Sequence, residues 1–64
     1  MTLSEIKQAL SEGKKVYWHN ENYEVIKDNL NQYLIRSHFN DYYIGLTWAD
    51  KKTLNGKEHE FYKG

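Results

Sequence analysis

The sequence predicts a small α+β domain in which an N-terminal helix precedes an antiparallel β-meander. Three observations lead to this prediction: a capping pattern at the start, apolar residues at helical spacing up to Gly13, and two-residue alternation after it. The 64 residues are expected to form a single domain, residues 1–64. A chain of this length buries only about 60% of its unfolded surface, so its core is small.

The helix is expected from about Thr2 to Glu12. Thr2 with Glu5 three residues later is a capping box, in which each side chain accepts a hydrogen bond from the other residue's backbone N–H. One face of this helix is apolar, with Leu3, Ile6, Ala9 and Leu10. Gly13 supplies the left-handed residue that commonly ends a helix.

A first hairpin is predicted from the strand-forming runs 15–19 and 23–27. A two-residue turn at Asn20-Glu21 places Trp18 opposite Tyr23 and Val16 opposite Val25 on one side. The other side of this hairpin carries Tyr17, His19, Glu24 and Ile26.

A second hairpin is predicted after the polar break 28–32, with arms 33–38 and 42–48. A turn at either Phe39-Asn40 or Asn40-Asp41 leaves the two faces unchanged, because a shift of two positions preserves parity. The face expected in the core carries Tyr33, Ile35, Ser37, Phe39, Tyr42, Ile44, Leu46 and Trp48. The opposite face carries Leu34, Arg36, His38, Tyr43, Gly45 and Thr47.

Both tryptophans are therefore expected in the core. Replacing either Trp18 or Trp48 by alanine is expected to cost roughly 3–5 kcal/mol, enough to unfold so small a domain.

The C-terminal segment is expected to contain two turns and a short closing strand. The turns are predicted at Asp50-Lys51-Lys52 and Asn55-Gly56. The strand is predicted within residues 59–62, with Leu54 and Phe61 anchoring the segment to the core. The sheet then has four or five strands, and it either curls into an SH3-like half-barrel or stays open with the helix across one face.

Composition narrows the class of protein. Nine basic and nine acidic residues give a formal net charge of zero, whereas a duplex-DNA binder is usually basic. The absence of cysteine excludes a disulfide framework and a thiolate zinc site. No signal-peptide pattern and no apolar run near the ~20 residues of a membrane span are visible. A cytoplasmic protein without a membrane partner is the expectation.

No residue pattern points to catalysis, and we expect neither an enzyme nor a small-molecule substrate. His19, His38 and His59 lie too far apart for a spaced metal site, so no metal and no cofactor are expected. The four glycines are isolated, which leaves no phosphate-binding loop. Ser37 is expected on the core face, where its hydroxyl satisfies a local hydrogen bond.

Binding of a protein partner, or of a second copy of the chain, is the function that the sequence favours. The face opposite the core is more apolar than a solvent-exposed sheet face needs to be. It also contains Tyr and Arg, residue types enriched at interfaces. The expected contact residues are Tyr17, Leu34, Arg36 and Tyr43, with Gly45 leaving a gap beside them. The alternative is that the helix covers this face, which would make it ordinary core.

Single-stranded nucleic acid is the alternative partner. Small β-barrels stack bases on strand-borne aromatics beside a basic groove. Tyr17 and Tyr43 would be the stacking rings, with Arg36 and the pairs Lys14-Lys15 and Lys51-Lys52 on phosphates. Because acids are interleaved with these lysines, such binding is expected to be weak and salt-sensitive.

Several segments together resemble a group of small uncharacterised proteins encoded by phages and other mobile elements of gut bacteria. The segments that carry the resemblance are Lys15–Trp18, Tyr23–Asp28, Tyr33–Ile35, Ile44–Trp48 and Leu54–Glu58. The resemblance covers nearly the whole chain, but it brings no functional motif and no active-site residue. It implies a mobile-element origin, a bacterial cytoplasm and an accessory protein that binds host or phage machinery.

Overall fold

The computed structural model describes residues 1–64 and contains one α-helix and five β-strands. In chain order these are α1 (Leu3–Ser11), β1 (Val16–Trp18), β2 (Asn20–Lys27), β3 (Tyr33–Ser37), β4 (Tyr42–Gly45), a 3-10 turn (Glu58–Glu60) and β5 (Phe61–Lys63). The strands form one antiparallel sheet in the order β4-β3-β2-β1-β5. Because β4 and β5 are opposite edges, the sheet is open. The predicted α+β fold is confirmed, with the open form of the sheet.

Helix α1 begins and ends where the capping residues predict. The backbone N–H of Thr2 donates to Oε1 of Glu5 at 2.8 Å, and that of Glu5 donates to Oγ1 of Thr2 at 3.2 Å. At the other end, Gly13 has φ of 78°, and its N–H donates to the Leu10 carbonyl. No helix of the structure has the length and apolarity to cross a membrane.

The core lies between α1 and one side of the sheet, called here the inner face. Its seven buried apolar residues are Ile6, Ala9, Val16, Val25, Ile35, Leu46 and Phe61. Ile6 and Ala9 come from the apolar stripe of the helix, and four of the others come from the strands. The helix therefore covers the face that alternation assigned to the core.

The first hairpin keeps the predicted register at its base and departs from it at its tip. Val16 pairs with Val25 as expected, but Trp18 pairs with Asn20 rather than Tyr23, after a register shift beyond Tyr17. The chain reverses at His19, which has φ of 65°, so the predicted turn at Asn20-Glu21 is wrong. The rings of Trp18 and Tyr23 still meet edge to face, with centroids 5.5 Å apart.

The second hairpin pairs Ile35 with Ile44 and Ser37 with Tyr42. This register centres the turn on Phe39-Asn40, the first of the two predicted positions. Ser37 is buried on the predicted core face, but its Oγ makes no local hydrogen bond and instead accepts one from Nδ2 of Asn22 on β2, at 3.1 Å.

Three residues predicted in the core are instead exposed. Phe39 lies in the hairpin turn, and Tyr42 lies where edge strand β4 begins. Trp48 is 65% exposed because β4 already ends at Gly45. Leu46 still donates its backbone N–H to the Tyr33 carbonyl and is buried, but beyond it the chain leaves the sheet, and alternation no longer decides which way a side chain faces. The expectation that Trp48 is a core residue is therefore wrong.

The C-terminal segment returns to the sheet in a short closing strand, which is Phe61–Lys63 rather than residues 59–62 because residues 58–60 form the 3-10 turn. The carboxylate of Asp50 accepts hydrogen bonds from the backbone N–H groups of Lys52 and Thr53, which fixes the first turn. Phe61 is buried at the start of β5, and Leu54 packs against the core.

Trp18 joins the C-terminal segment to the sheet. It is half-buried, its ring stacks on Phe61 at 6.2 Å, and its indole N–H donates to Oε1 of Glu60 at 3.2 Å. A Cβ on Gly56 would lie 2.7 Å from the indole nitrogen, so this position requires glycine. The backbone N–H of Lys57 and the Trp18 indole both donate to the Glu60 carboxylate, which lowers its pKa.

The two tryptophans should therefore differ in their effect on stability. We expect Trp18→Ala to lower the free energy of unfolding by about 3 kcal/mol, because it removes packing on Phe61 and a hydrogen bond. Trp48→Ala should change it by about 0.5 kcal/mol or less, as is usual for exposed positions. Thermal and urea denaturation of both variants beside the parent chain measure this. Equal destabilisation by the two changes would contradict the assignment of Trp48 to the surface.

Candidate functional site

The side of the sheet that α1 does not cover, called here the outer face, carries a row of side chains across all five strands. The register pairs Tyr62 with Tyr17, Tyr17 with Glu24, Glu24 with Arg36, and Arg36 with Tyr43. None of these five residues is buried; Tyr43 is 47% and Tyr62 is 37% exposed. The row is thus a continuous accessible surface with three tyrosines.

A shorter apolar row runs beside the first. Ile26 pairs with Leu34, and Leu34 pairs with Gly45. Ile26 and Leu34 are half-buried, and Gly45 is exposed. Because Gly45 has no side chain, a shallow gap lies beside Tyr43 at this end of the outer face.

Both charged residues of the row, Arg36 and Glu24, have side-chain partners. The Arg36 guanidinium donates from Nε to Oδ1 of Asp41 at 2.9 Å, and its Nη2 lies 2.7 Å from the same oxygen. Hydrogen bonding to Asp41 raises the pKa of Arg36, which stays charged. Its Cζ lies 6.0 Å from the centre of the Tyr43 ring, a cation–π distance. Oε1 of Glu24 lies 2.8 Å from Nε2 of His38.

The four contact residues expected from the sequence all lie on the outer face, and the structure brings three of them together. Arg36 and Tyr43 are cross-strand partners, and Leu34 lies two positions from Arg36 on the same face of β3. Tyr17 is separated from Arg36 by Glu24 and is instead in contact with Tyr62, with ring centroids 5.7 Å apart.

Tyr62 was missed as a surface residue by sequence reasoning. It follows the buried Phe61, and strand alternation would have placed it outward once residues 61–63 were recognised as a strand. Its pairing with Tyr17 depends on β5 lying beside β1, a long-range contact that local sequence patterns do not specify.

A second accessible feature is a cleft of about 480 Å³ at one end of the sheet. It lies between the turn at residues 28–32 and the turn at residues 47–51, and it is called here the Trp48 cleft. Trp48, Leu30, Tyr33 and Leu34 contribute its apolar lining, and Lys7 and Lys51 contribute positive charge.

The polar residues considered for chemistry are dispersed. Nε2 of His19 lies 3.6 Å from a Glu60 carboxylate oxygen, while His38 contacts Glu24 on the outer face. No three His, Asp or Glu side chains come close enough together to hold a metal ion. The buried hydroxyl of Ser37 accepts a hydrogen bond from the side-chain amide of Asn22.

Comparisons with protein-family models, with curated proteins and with solved structures give no match. The contacts, exposure and charges described above are therefore what supports a proposal for the function.

The lack of a three-ligand cluster generates a prediction about metals. A structural metal would stabilise the folded state by mass action, and the chain offers no cluster to hold one. We therefore expect the melting temperature to be unchanged by a chelator or by stoichiometric zinc. Thermal denaturation followed by circular dichroism measures this. A rise of several degrees with one equivalent of zinc, abolished in a His38→Ala or His19→Ala variant, would contradict it.

Proposed function

We propose that the chain is a non-catalytic binding module that recognises a protein, or a second copy of itself, through the outer face. The observation that carries this proposal is the position of α1. Its apolar stripe packs on the inner face with Val16, Val25 and Ile35, so no helix covers Tyr17, Leu34, Arg36 or Tyr43.

The residue types of the outer face suit an interface. Tyrosine offers a broad apolar ring with a polar tip, which allows it to be exposed in the free protein and buried in a complex. Tyr and Arg are also, with Trp, the residue types enriched among binding hot spots. Tyr43 and Arg36 lie side by side, and the paired Asp41 holds the guanidinium over that end of the sheet. A partner therefore meets a partly ordered surface, which lowers the entropy cost of binding.

The setting that we propose follows from the resemblance to small proteins of phages and mobile elements. An accessory protein of this kind would act in the bacterial cytoplasm on a host or phage protein. Neither catalysis nor a cofactor forms part of the proposal.

Single-stranded nucleic acid is a weaker candidate for the outer face. Proteins that bind single-stranded nucleic acid combine aromatic rings, on which bases stack, with a positively charged groove that follows the nucleic-acid backbone. Here Glu24 lies between Tyr17 and Arg36, and the charge of Arg36 is already paired with Asp41. Phosphates would meet a carboxylate in the middle of the row.

The test is to compare outer-face variants in partner capture and in self-association. The immobilised chain is incubated with bacterial lysate, bound protein and nucleic acid are identified, and sedimentation velocity reports any dimer. We expect Tyr43→Ala and Arg36→Ala each to weaken binding by about 1–3 kcal/mol while leaving the fold intact, because both truncate exposed contact residues.

Ser4→Ala, on the exposed side of α1, is the matched control and should bind like the parent chain. Partner capture that survives both outer-face substitutions would contradict the proposal. Sub-micromolar binding of a mixed single-stranded oligonucleotide at physiological salt would also contradict it, and nucleic acid would then be the favoured partner.

A further inference from the structure

The Trp48 cleft holds two of the most exposed large apolar side chains in the protein. Trp48 is 65% and Leu30 is 71% exposed, and both line the same cleft. Leu30 lies in the turn that follows β2, and Trp48 lies just beyond β4. Two turns that are far apart in sequence therefore present apolar surface to one space. Exposed apolar surface concentrated in this way marks binding sites more often than isolated exposed residues do.

Both turns are held by their own hydrogen bonds. Oδ1 of Asp28 accepts from the backbone N–H groups of Leu30 and Gln32, at 2.9 and 2.8 Å. In the other turn, the N–H of Lys51 donates to the Trp48 carbonyl at 2.9 Å, and the Asp50 carboxylate accepts from Lys52. The apolar side chains are thus carried on ordered backbone, which limits the entropy lost on binding.

The charge of the cleft is of one sign. Lys7 and Lys51 line it, and no Asp or Glu is among its lining residues. Asp28 and Asp50, which belong to the two turns, accept hydrogen bonds from backbone N–H groups of those turns. The lining itself therefore carries only positive charge, although Asp28 and Asp50 lie in the same two turns. Such a site is complementary to an anionic ligand.

We propose that the Trp48 cleft binds an acidic peptide segment that carries a bulky apolar side chain. The apolar side chain would contact Trp48 and Leu30, and flanking carboxylates would contact Lys7 and Lys51. Leu34 and Gly45 belong to both surfaces. The proposed cleft contacts lie outside the Arg36–Tyr43 pair, so this proposal does not depend on the proposed function of the outer face.

A peptide suits the lining better than a nucleic-acid strand does. Of the two aromatic rings in the cleft, Tyr33 already has the ammonium groups of Lys7 and Lys27 over it, at 5.2 and 5.7 Å. Trp48 is then the one ring left for stacking, whereas proteins that bind single strands stack successive bases on several rings. The second exposed apolar residue, Leu30, is aliphatic and matches an apolar side chain rather than a base.

The experiment uses three fluorescein-labelled peptides of equal length and the full chain. The first carries a central Leu-Phe pair flanked by glutamates, the second replaces each glutamate by glutamine, and the third replaces Leu-Phe by Ser-Ser. Fluorescence anisotropy at low salt measures their dissociation constants. We expect the first peptide to bind at least about tenfold more tightly than either of the others, because only it supplies both charge and apolar contact.

Variants then locate the site. Trp48→Ala, Leu30→Ser and Lys51→Glu should each raise the dissociation constant of the first peptide at least about fivefold, because each removes a central contact or a complementary charge. Lys15→Glu makes the same change in net charge outside the cleft and should have little effect. Tyr43→Ala should also leave peptide binding unchanged, which separates failure of this proposal from failure of the outer-face proposal. Circular dichroism melts confirm that each variant folds.

Three results would overturn the proposal. The first is equal binding, or no binding, of the three peptides. The second is tighter binding of a mixed single-stranded oligonucleotide of the same length, which would assign the cleft to nucleic acid. The third is a dimer in sedimentation velocity that Lys51→Glu abolishes, which would make a second copy of the chain the occupant.

Discussion

A single short helix packed against a five-stranded sheet is the constraint on which the rest of this structure depends. The nine residues of α1 pack on one face of the sheet. Along each strand, successive side chains point alternately toward that face and toward the other. Val16, Val25 and Ile35 are buried beneath the helix, so their neighbours along the strands must face away from it. In so small a chain there is no further layer to cover them. The accessible row of Tyr62, Tyr17, Glu24, Arg36 and Tyr43 is a direct consequence.

Much of this arrangement could be predicted from local patterns, and the errors lie where strands stop. The capping box at Thr2, the pairing of Val16 with Val25 and the outward position of Arg36 and Tyr43 follow from periodicity and turn chemistry. Trp48 is exposed because β4 ends at Gly45, whereas the alternating pattern of the sequence continues through Trp48. The pairing of Trp18 with Asn20 depends on the left-handed backbone at His19, a conformation that is uncommon for a non-glycine residue. The Trp48 cleft could not be predicted either, because two distant turns build it.

The two accessible surfaces differ in their chemistry. On the outer face, the charge of Arg36 is paired with Asp41 and the Glu24 carboxylate is hydrogen-bonded to His38, so this surface offers mainly tyrosine rings and apolar contact. The Trp48 cleft offers an exposed indole with lysines and no carboxylate. A partner that used both would gain affinity by joining two modest contacts, because the second contact forms at a high effective concentration. Leu34 belongs to both surfaces and connects them.

Site-specific cross-linking tests most directly whether the outer face is the binding surface. The chain has no cysteine, so a single introduced thiol carries a photo-activated cross-linker at one known position. Tyr62→Cys places it in the outer row, and Ser4→Cys places it on the exposed side of α1. The account predicts a cross-link to the captured partner, or to a second copy, from position 62 and none from position 4. A cross-link from position 4 alone, with position 62 unreactive toward a bound partner, would contradict it.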